Sequence, residues 1–501
     1  MSEDALEQAP ADYIDGQFIG ITGDVLQSCD PANPDRVVWS GSPRLAHVDR
    51  AVQAARAAFP AWRALGFEAR AAALRNFSQA CARHAERLAQ TITAEMGKTL
   101  SESRAEVKLV QDKIAITLEP ATLSRVRDFE VDAGAGKQGA CHFRPHGVMA
   151  VVGPFNFPAH LPNGQWVPAL LLGNTVVFKP SDRTPAVGQL LGQIAMQAGL
   201  PAGVFNVVQG AADVAAKLVA HEHIDGILFT GSFAVGRSIV QANLDRPGRL
   251  IALEMGGSNA AIVWHDADIR RAVIECVRGA YATTGQRCTC TRRIIVHADI
   301  AERFAIAFAK VASQLVVGAG TDAEPIFMGP VASQSAADAV LHRQAASVAA
   351  GGSMVLEACR FDRKGWFVGP GLVQVQRFDR ARDCETFGPL AHMSVVQDLS
   401  QAIEQANATD FGLVAAVFTQ DEMVWKSCID ALRVGCLNLN TGTAGASGRL
   451  PFGGLGNSGN LRPAGSFAVD SAVYPLATMR DSQVVTLPPT GMHVDDRWFG
   501  L

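Results

Sequence analysis

The sequence predicts an α/β fold centred on a doubly wound parallel sheet, followed by a second series of strands and helices and flanked by a pair of projecting strands. Three observations predict it. From Gly147 onward, short apolar runs ended by Gly or Pro succeed one another: VMAVVGP, TVVFKP, VFNVVQG, GILFTG, LIALEMGG and AAIVW. Runs of this length without polar alternation read as strands buried on both faces. Between them lie segments of helical length at 185–198, 211–220 and 235–243, which gives β-α-β-α-β punctuation. The chain also has the material for a large core. It has 501 residues, 48% apolar and 18% charged, with 47 Gly and 24 Pro, which corresponds to roughly three domains.

Taken in order, the elements begin with helix. Val48, Val52, Ala55, Phe59 and Trp62 recur at helical spacing, and 71–96 continues alanine-rich with a charged face, so the N-terminal quarter is expected to be mostly helical. The polar, glycine-containing segment 125–142 separates this region from the sheet. With the tail at 469–485 it is expected to form the projecting strands. The doubly wound layer follows from Gly147, and the second series runs from about Asp268 to Phe452.

Charge and cysteine usage narrow the partners. The formal charge is −4 and no run of five like charges occurs, so neither nucleic acid nor a membrane surface is an expected partner. No 18 apolar residues run unbroken, the greasiest stretch (166–172) being closed by Gly173 and Asn174. Residues 1–20 are acidic and polar, without the basic and apolar regions of a secretory leader. Ten cysteines scattered from Cys29 to Cys436 are no disulfide framework. The expectation is a cytoplasmic protein with reduced thiols and a small-molecule ligand.

Two matches to G-x-G-x-x-G, at Gly134, Gly136 and Gly139 and at Gly454, Gly456 and Gly459, lack the strand before and the helix after that a dinucleotide fingerprint requires. Both read as turns. Gly231-Ser232-Phe233-Ala234-Val235-Gly236 has the right neighbours, following a strand-like run and opening a helix. Its N-H groups and dipole suit a phosphate, and an ordinary N-cap at Ser232 is the other reading.

Three residues could carry chemistry. Cys288, in Gly285-Gln286-Arg287-Cys288-Thr289-Cys290, is either a small buried apolar group or a nucleophile whose pKa is lowered by Arg287, Arg292 and Arg293. No second cysteine pair stands at ligand spacing, so no metal is expected. Glu254 ends an apolar strand, either as an ion-paired residue or as a general base with a pKa raised by an apolar wall. Asn156, between Phe155 and Phe157, is either a turn residue or an amide donor to a developing oxyanion.

The blocks PFNFP with Asn156, FKPSDRTP with Lys179, GSFAVG, LEMGG with Glu254, GQRC with Cys288, ETFGP with Glu385 and Phe387, and PFGGLGNSG from Pro451 occur in that order. Together they resemble the NAD(P)-dependent aldehyde dehydrogenase superfamily, from about Ile14 to Leu487. The resemblance implies a Rossmann-type NAD-binding domain (1–124 and 145–256), an α/β catalytic domain (257–467) and a small β oligomerisation arm (125–144 and 468–490). Cys288 would be the nucleophile, Asn156 and the Cys288 N-H the oxyanion hole, and Glu254 the base that activates water. NAD would be held by Phe155, Lys179, Ser181, Asp182, Gly231, Ser232, Gly236, Glu385 and Phe387, with Lys179 at the adenosine ribose, Ser232 at the pyrophosphate and Glu385 at the nicotinamide ribose. A homodimer or homotetramer is implied through the arm.

The stretches FRPHGVMAVVGPFNFPAHLPNGQWVPALLLGNTVVFKPS, GQRCTCTRR and PFGGLGNSGNLRP are similar to the succinylglutamate semialdehyde dehydrogenases of bacterial arginine breakdown. That subgroup implies a dicarboxylate aldehyde substrate, with Arg287 and Arg462 as carboxylate anchors suited by the guanidinium fork. Succinate or glutamate semialdehyde is the alternative substrate, and a non-catalytic relative the alternative class. Two positions depart from the family pattern. Asp182 stands where Glu is usual, with Arg183 beside it able to meet a 2'-phosphate, and Arg462-Pro463 replaces Arg-Glu.

Overall fold

A computed structural model describes residues 9–134, 136–323, 325–481 and 487–500. Its first sheet has the order Leu250–Glu254, Gly226–Thr230, Val148–Val152, Thr175–Lys179, Phe205–Val207, Ala11–Ile14, Gln17–Gly20. The strands formed by five of the six apolar runs are parallel here, with Val152 opposite Phe229 on one side and Lys179 on the other, whereas the sixth run, AAIVW, belongs to the second sheet as Asn259–Val263. Side chains alternate between two cores. Met149 and Val151 join Trp166, Phe178 and Phe205 on one face, while Val148, Ala150 and Val152 join Ile227 and Phe229 on the other. Both faces are covered, which explains why these strands show no polar alternation.

From Val148–Val152 the chain moves outward to Phe205–Val207, then returns to lay Gly226–Thr230 on the opposite side of its starting strand. This reversal opens a crevice beyond the carboxyl ends of two neighbouring strands, the position where doubly wound sheets take their ligands.

The helical reading of the N-terminal quarter holds from Ala46, through Ala46–Ala64, Phe67–Arg83, Ala85–Met96 and Leu100–Thr117. The run expected over 71–96 is broken at His84. Before Ala46 the structure differs, because Ala11–Ile14, Gln17–Gly20, Leu26–Asp30 and Asn33–Gly41 are strands. The first pair turns at Asp15-Gly16, with φ of 54° and 75°, a two-residue hairpin signal that the sequence does carry. Asp12 hides the strand, since a carboxylate in a fully buried tetrapeptide looks out of place. It is satisfied from afar by His47 Nδ1 (2.7 Å) and the Gln209 N-H (2.6 Å).

The second sheet has the order Ser353–Leu356, Gly371–Gln374, Leu390–Val396, Thr291–His297, Asn259–Val263, Val414–Phe418, Cys436–Leu439. All its neighbours pair in parallel except Ser353–Leu356. A separate antiparallel sheet joins Val473–Asp481, Lys137–Pro145 and Phe129–Gly134, with Gly134 and Gly136 (φ 78° and 74°) in its turn. Of the tail read as a projecting strand over 469–485, 469–472 belongs instead to the 3-10 helix Ser466–Ala472 and 482–485 lies outside the described residues, as does 1–8 of the segment read as leaderless. No helix among the described residues is long and apolar enough to cross a membrane.

Candidate active site

A cleft of about 910 Å³ lies at the crevice between the two sheets. Phe155, Asn156, Lys179, Ser181, Asp182 and Ser232 line it from the first sheet's side. Glu254, Cys288, Glu385 and Phe387 line it as well. The residues that sequence reasoning singled out separately therefore share one space, with Gly236, Arg287 and Arg462 as the exceptions.

Cys288 follows a backbone held in an unusual shape. Thr283 and Thr284 are β-branched residues at φ of 54° and 55°, and Gly285 continues at 70°. Left-handed conformations at such residues cost on the order of 1–3 kcal/mol each. The surroundings impose them: the Thr283 N-H and Oγ1 both donate to Glu102 Oε1 at 2.8 Å, and Thr284 Oγ1 donates to the Gly329 carbonyl at 2.9 Å. A Cβ at Gly285 would lie 2.1 Å from the Gly388 carbonyl oxygen, so only glycine fits there. Beyond the turn, Asn259 Nδ2 donates to the carbonyls of Cys288 (2.7 Å) and Cys290 (2.8 Å).

The expected lowering of the Cys288 pKa by three arginines is not what the structure shows. Arg287 turns to Glu102 (3.1 Å) and Thr283 Oγ1 (2.8 Å), Arg292 to the carbonyls of Gly388 and Gly285, and Arg293 to those of Ser258, Gln405 and Ala406. Burial pushes the Cys288 thiol up, and the carboxylates of Glu385 and Glu254 add to the effect. Sequence adjacency placed the cations nearby, but carbonyl oxygens took their donors.

Asn156 is 4% exposed, and its Nδ2 donates to the Gln286 carbonyl at 2.9 Å, two residues before the thiol. Its own carbonyl accepts from Lys98 Nζ at 3.0 Å. Lys98 is ion-paired with Glu106, both side chains being fully buried. Glu106 Oε1 in turn accepts the N-H groups of Ala159 (2.9 Å) and His160 (3.0 Å), at the start of the helix His160–Leu171. The Asn156 loop is thus fixed at both ends by one buried pair. Sequence reasoning missed Lys98, Glu106 and Glu102, because nothing local marks a residue whose partner lies 50 or more positions away.

Glu254 ends its strand 7% exposed. Oε1 accepts from the Ala464 N-H at 3.3 Å, while Oε2 is buried and has no partner. Burial raises its pKa well above the usual carboxylate range, and only the Ala464 bond opposes this. Of the glycines at 454, 456 and 459 read as a turn, Gly459 forms an isolated antiparallel bridge with Glu254. The Met255 N-H donates to the Ser458 carbonyl (2.9 Å), and the Leu253 N-H to Asn460 Oδ1 (2.9 Å).

On the nucleotide side, Ser232 Oγ accepts from the Val235 N-H at 3.4 Å, so Ser232 does cap the helix Phe233–Gln241, and that helix end also borders the cleft. Gly236 does not line the cleft. A Cβ there would fall 2.4 Å from Met255 Sδ, so its role is close packing of helix on strand. Lys179 is 4% exposed and donates to the Gly210 carbonyl at 2.6 Å, with burial lowering its pKa to about 8. Glu385 Oε1 accepts the Gly257 N-H at 3.0 Å. The rings of Phe155 and Phe387 meet edge to face, with centroids 5.8 Å apart. Volume, helix terminus and position at the strand reversal all fit a dinucleotide.

Of the two arginines expected to anchor substrate, Arg287 is engaged with Glu102 and faces the Phe157 ring at 5.3 Å. Arg462 is exposed, two residues before the Ala464 N-H that bonds Glu254.

Comparison with known proteins adds the following. Residues 20–474 match the model of the aldehyde dehydrogenase family. The N-succinylglutamate 5-semialdehyde dehydrogenase of Burkholderia ambifaria is 41% identical over 487 residues, covering 96% of this chain and 99% of the relative. Its counterpart in Vibrio cholerae is 40% identical over 481 residues, with coverages of 95% and 98%. Among solved structures, the lactaldehyde dehydrogenase of Escherichia coli superposes with a TM-score of 0.90 at 29% identity, covering 94% of this chain and 99% of that one. An indole-3-acetaldehyde dehydrogenase of P. syringae, solved with NAD+, gives 0.90 at 27% identity, with coverages of 95% and 98%.

Proposed function

The chain belongs to the aldehyde dehydrogenase family, and on that premise we propose that it oxidises N-succinyl-L-glutamate 5-semialdehyde to N-succinyl-L-glutamate with NAD+, in the succinyltransferase route of arginine catabolism. The observation that carries the reading is the convergence of Cys288, Asn156 and Glu254 in one cleft with Lys179, Ser232 and Glu385. The names of relatives about 40% identical over nearly the full chain support the substrate.

In this reading Cys288 passes its thiol proton to solvent water as its sulfur bonds to the aldehyde carbon. Asn156 Nδ2 and the Cys288 N-H donate to the oxygen as it gains charge. Lys179 and Asp182 hold the adenosine ribose, Ser232 and its helix end the pyrophosphate, and Glu385 the nicotinamide ribose, with Phe155 and Phe387 as walls. Bound NAD+ supplies the hydride acceptor. The oxidised carbon remains on sulfur as a thioester. Glu254 then takes a proton from water, whose oxygen attacks that carbon, and the carbon–sulfur bond breaks to release the carboxylate.

Residues 1–124 with 145–256 form the NAD-binding domain, 257–467 the catalytic domain, and 125–144 with 468–490 the oligomerisation arm. Phe129, Val131, Leu476 and Met479 are exposed on the arm's sheet, which supports pairing with a second copy as homodimer or homotetramer. A cytoplasmic location is supported by ten cysteines that are all free. The test of the substrate is kcat/KM for N-succinylglutamate semialdehyde against succinate semialdehyde and a simple aliphatic aldehyde. The succinylated compound is expected to lead by tenfold or more. A lead by either competitor refutes the assignment.

A further inference from the structure

Beyond the segment 384–386 lies a second cavity of about 670 Å³, which shares Arg343, Ala346, Cys384 and Thr386 with the nucleotide cleft as a common wall. Its lining carries five arginines, at 292, 293, 343, 377 and 382, against two carboxylates, Asp379 and Asp383. Neither carboxylate pairs with the arginines of the cavity. Asp383 accepts from Ser258 Oγ (2.6 Å) and Thr409 Oγ1 (2.5 Å), and Asp379 accepts from the Ala381 N-H (3.0 Å).

Two of the five guanidiniums are already committed. Arg293 is spent on carbonyls, and Arg377 pairs with Glu404 at 2.9 Å. The other three are incompletely satisfied. Arg292 is 3% exposed; its Nη1 and Nη2 donate to the carbonyls of Gly388 and Gly285, and its Nε is buried without a partner. Arg343 Nε is likewise buried and unpartnered, while its Nη2 donates to the Arg382 carbonyl at 2.8 Å. Arg382 itself makes no ion pair among the described residues. Buried donors without acceptors are rare in folded proteins and call for an occupant. His392 also lines this cavity. Its Nε2 lies 2.8 Å from Ser347 Oγ, and burial together with Arg343 and Arg292 lowers its pKa to about 4.

We propose that this cavity is a binding site for a small multivalent oxyanion, a phosphate or a dicarboxylate, gripped by Arg292, Arg343 and Arg382. The planar guanidinium fork recognises both groups bidentately, so their chemistry is shared. The site rests on the reading of the neighbouring cleft as the NAD+ site only in that the two share Arg343, Ala346, Cys384 and Thr386 as a wall.

The test is calorimetric titration of the full-length protein, first saturated with NAD+, with inorganic phosphate in one arm and succinate in the other, at fixed ionic strength. Saturable binding of either anion is expected, and the tighter of the two identifies the source. Arg343→Gln with Arg382→Gln is expected to weaken it at least tenfold, and Arg382→Gln alone, at an exposed position, by severalfold. The proposal is overturned if neither anion binds the NAD+-saturated protein, or if both variants bind as the parent does. Failure of NAD+ itself to bind in the first titration strikes the cofactor reading instead.

Discussion

The Lys98 ammonium, fully shielded from solvent, donates to the Asn156 carbonyl oxygen at 3.0 Å while ion-paired with Glu106. The residue proposed to stabilise the oxyanion is therefore set in place from behind by a charge that never reaches the cleft. Lys98→Met strands the Glu106 carboxylate, which costs about 3–5 kcal/mol, and loosens the Asn156 loop. The expected kcat loss is about 10²-fold, the scale of a lost oxyanion-hole donor, with KM for NAD+ nearly unchanged. Adding Glu106→Gln to Lys98→Met removes the stranded charge and is expected to restore the unfolding midpoint but not kcat. Recovery of kcat in the double variant would show that the pair serves only the fold.

Cys288→Ala is expected to abolish aldehyde oxidation, at least 10³-fold in kcat, and to leave NAD+ affinity within about twofold. Because burial, Glu385 and Glu254 all raise the thiol's pKa, the cofactor-free enzyme holds little thiolate at neutral pH. Alkylation of Cys288 by iodoacetamide should then run at least about tenfold slower at pH 7 than that of an ordinary free thiol, one pKa unit being a factor of ten. It should climb through the alkaline range. Mass spectrometry of the Cys288 peptide checks this, and fast alkylation at pH 7 contradicts it.

Glu254→Gln is expected to spare the first burst of NADH, about one per subunit, and to slow steady turnover by about 10²–10⁴-fold, the range of a lost general base. Stopped-flow absorbance separates the two phases, and loss of the burst reassigns Glu254 to thiol activation. The raised pKa also makes a stability statement. Its contribution is fully present below the unfolded value of about 4.5 and is lost as pH rises through the higher folded value. Thermal melts of Glu254→Gln should therefore exceed those of the parent at pH 9, with the gap closing as pH falls toward 5.

Coenzyme choice follows from Asp182. Its side chain borders the cleft beside Ser181, while Arg183 is drawn to the Ala332 carbonyl (3.4 Å) and the Phe155 ring (5.6 Å). A carboxylate there repels a 2'-phosphate. NAD+ is expected to exceed NADP+ at least tenfold in kcat/KM, and Asp182→Asn should narrow the ratio. Equal use of both coenzymes by the parent enzyme refutes the assignment.

The first-sheet strands from Val148–Val152 to Leu250–Glu254 were legible because each is a short apolar run closed by Gly or Pro in a sheet covered on both faces, so local composition and tertiary fate agree. The capped helix at Ser232 was legible for a similar reason, since strand, turn and helix are contiguous. Ala11–Ile14 was not, because Asp12 finds its hydrogen-bond partners in His47 and the Gln209 N-H, nearly two hundred residues away in one case. The electrostatics of Cys288 were misread on the same principle. Arg287, Arg292 and Arg293 are its sequence neighbours, but strand geometry and buried carbonyls direct their donors elsewhere. Counting charges along the chain cannot reveal where a guanidinium points.

The bond from the Ala464 N-H to Glu254 spans 210 positions and is reinforced by the clasp of Ser458 and Asn460 on the strand that carries the base. A ribosome extends the chain at about 5–20 residues per second, so for tens of seconds the nascent polypeptide holds its crevice and then its sulfur without the latch that seats the carboxylate. A chain ended between Phe387 and Ala464 would carry Cys288, Asn156 and Glu385 but lack the N-H that seats the Glu254 carboxylate, so the base is the last part of the site to be put in order.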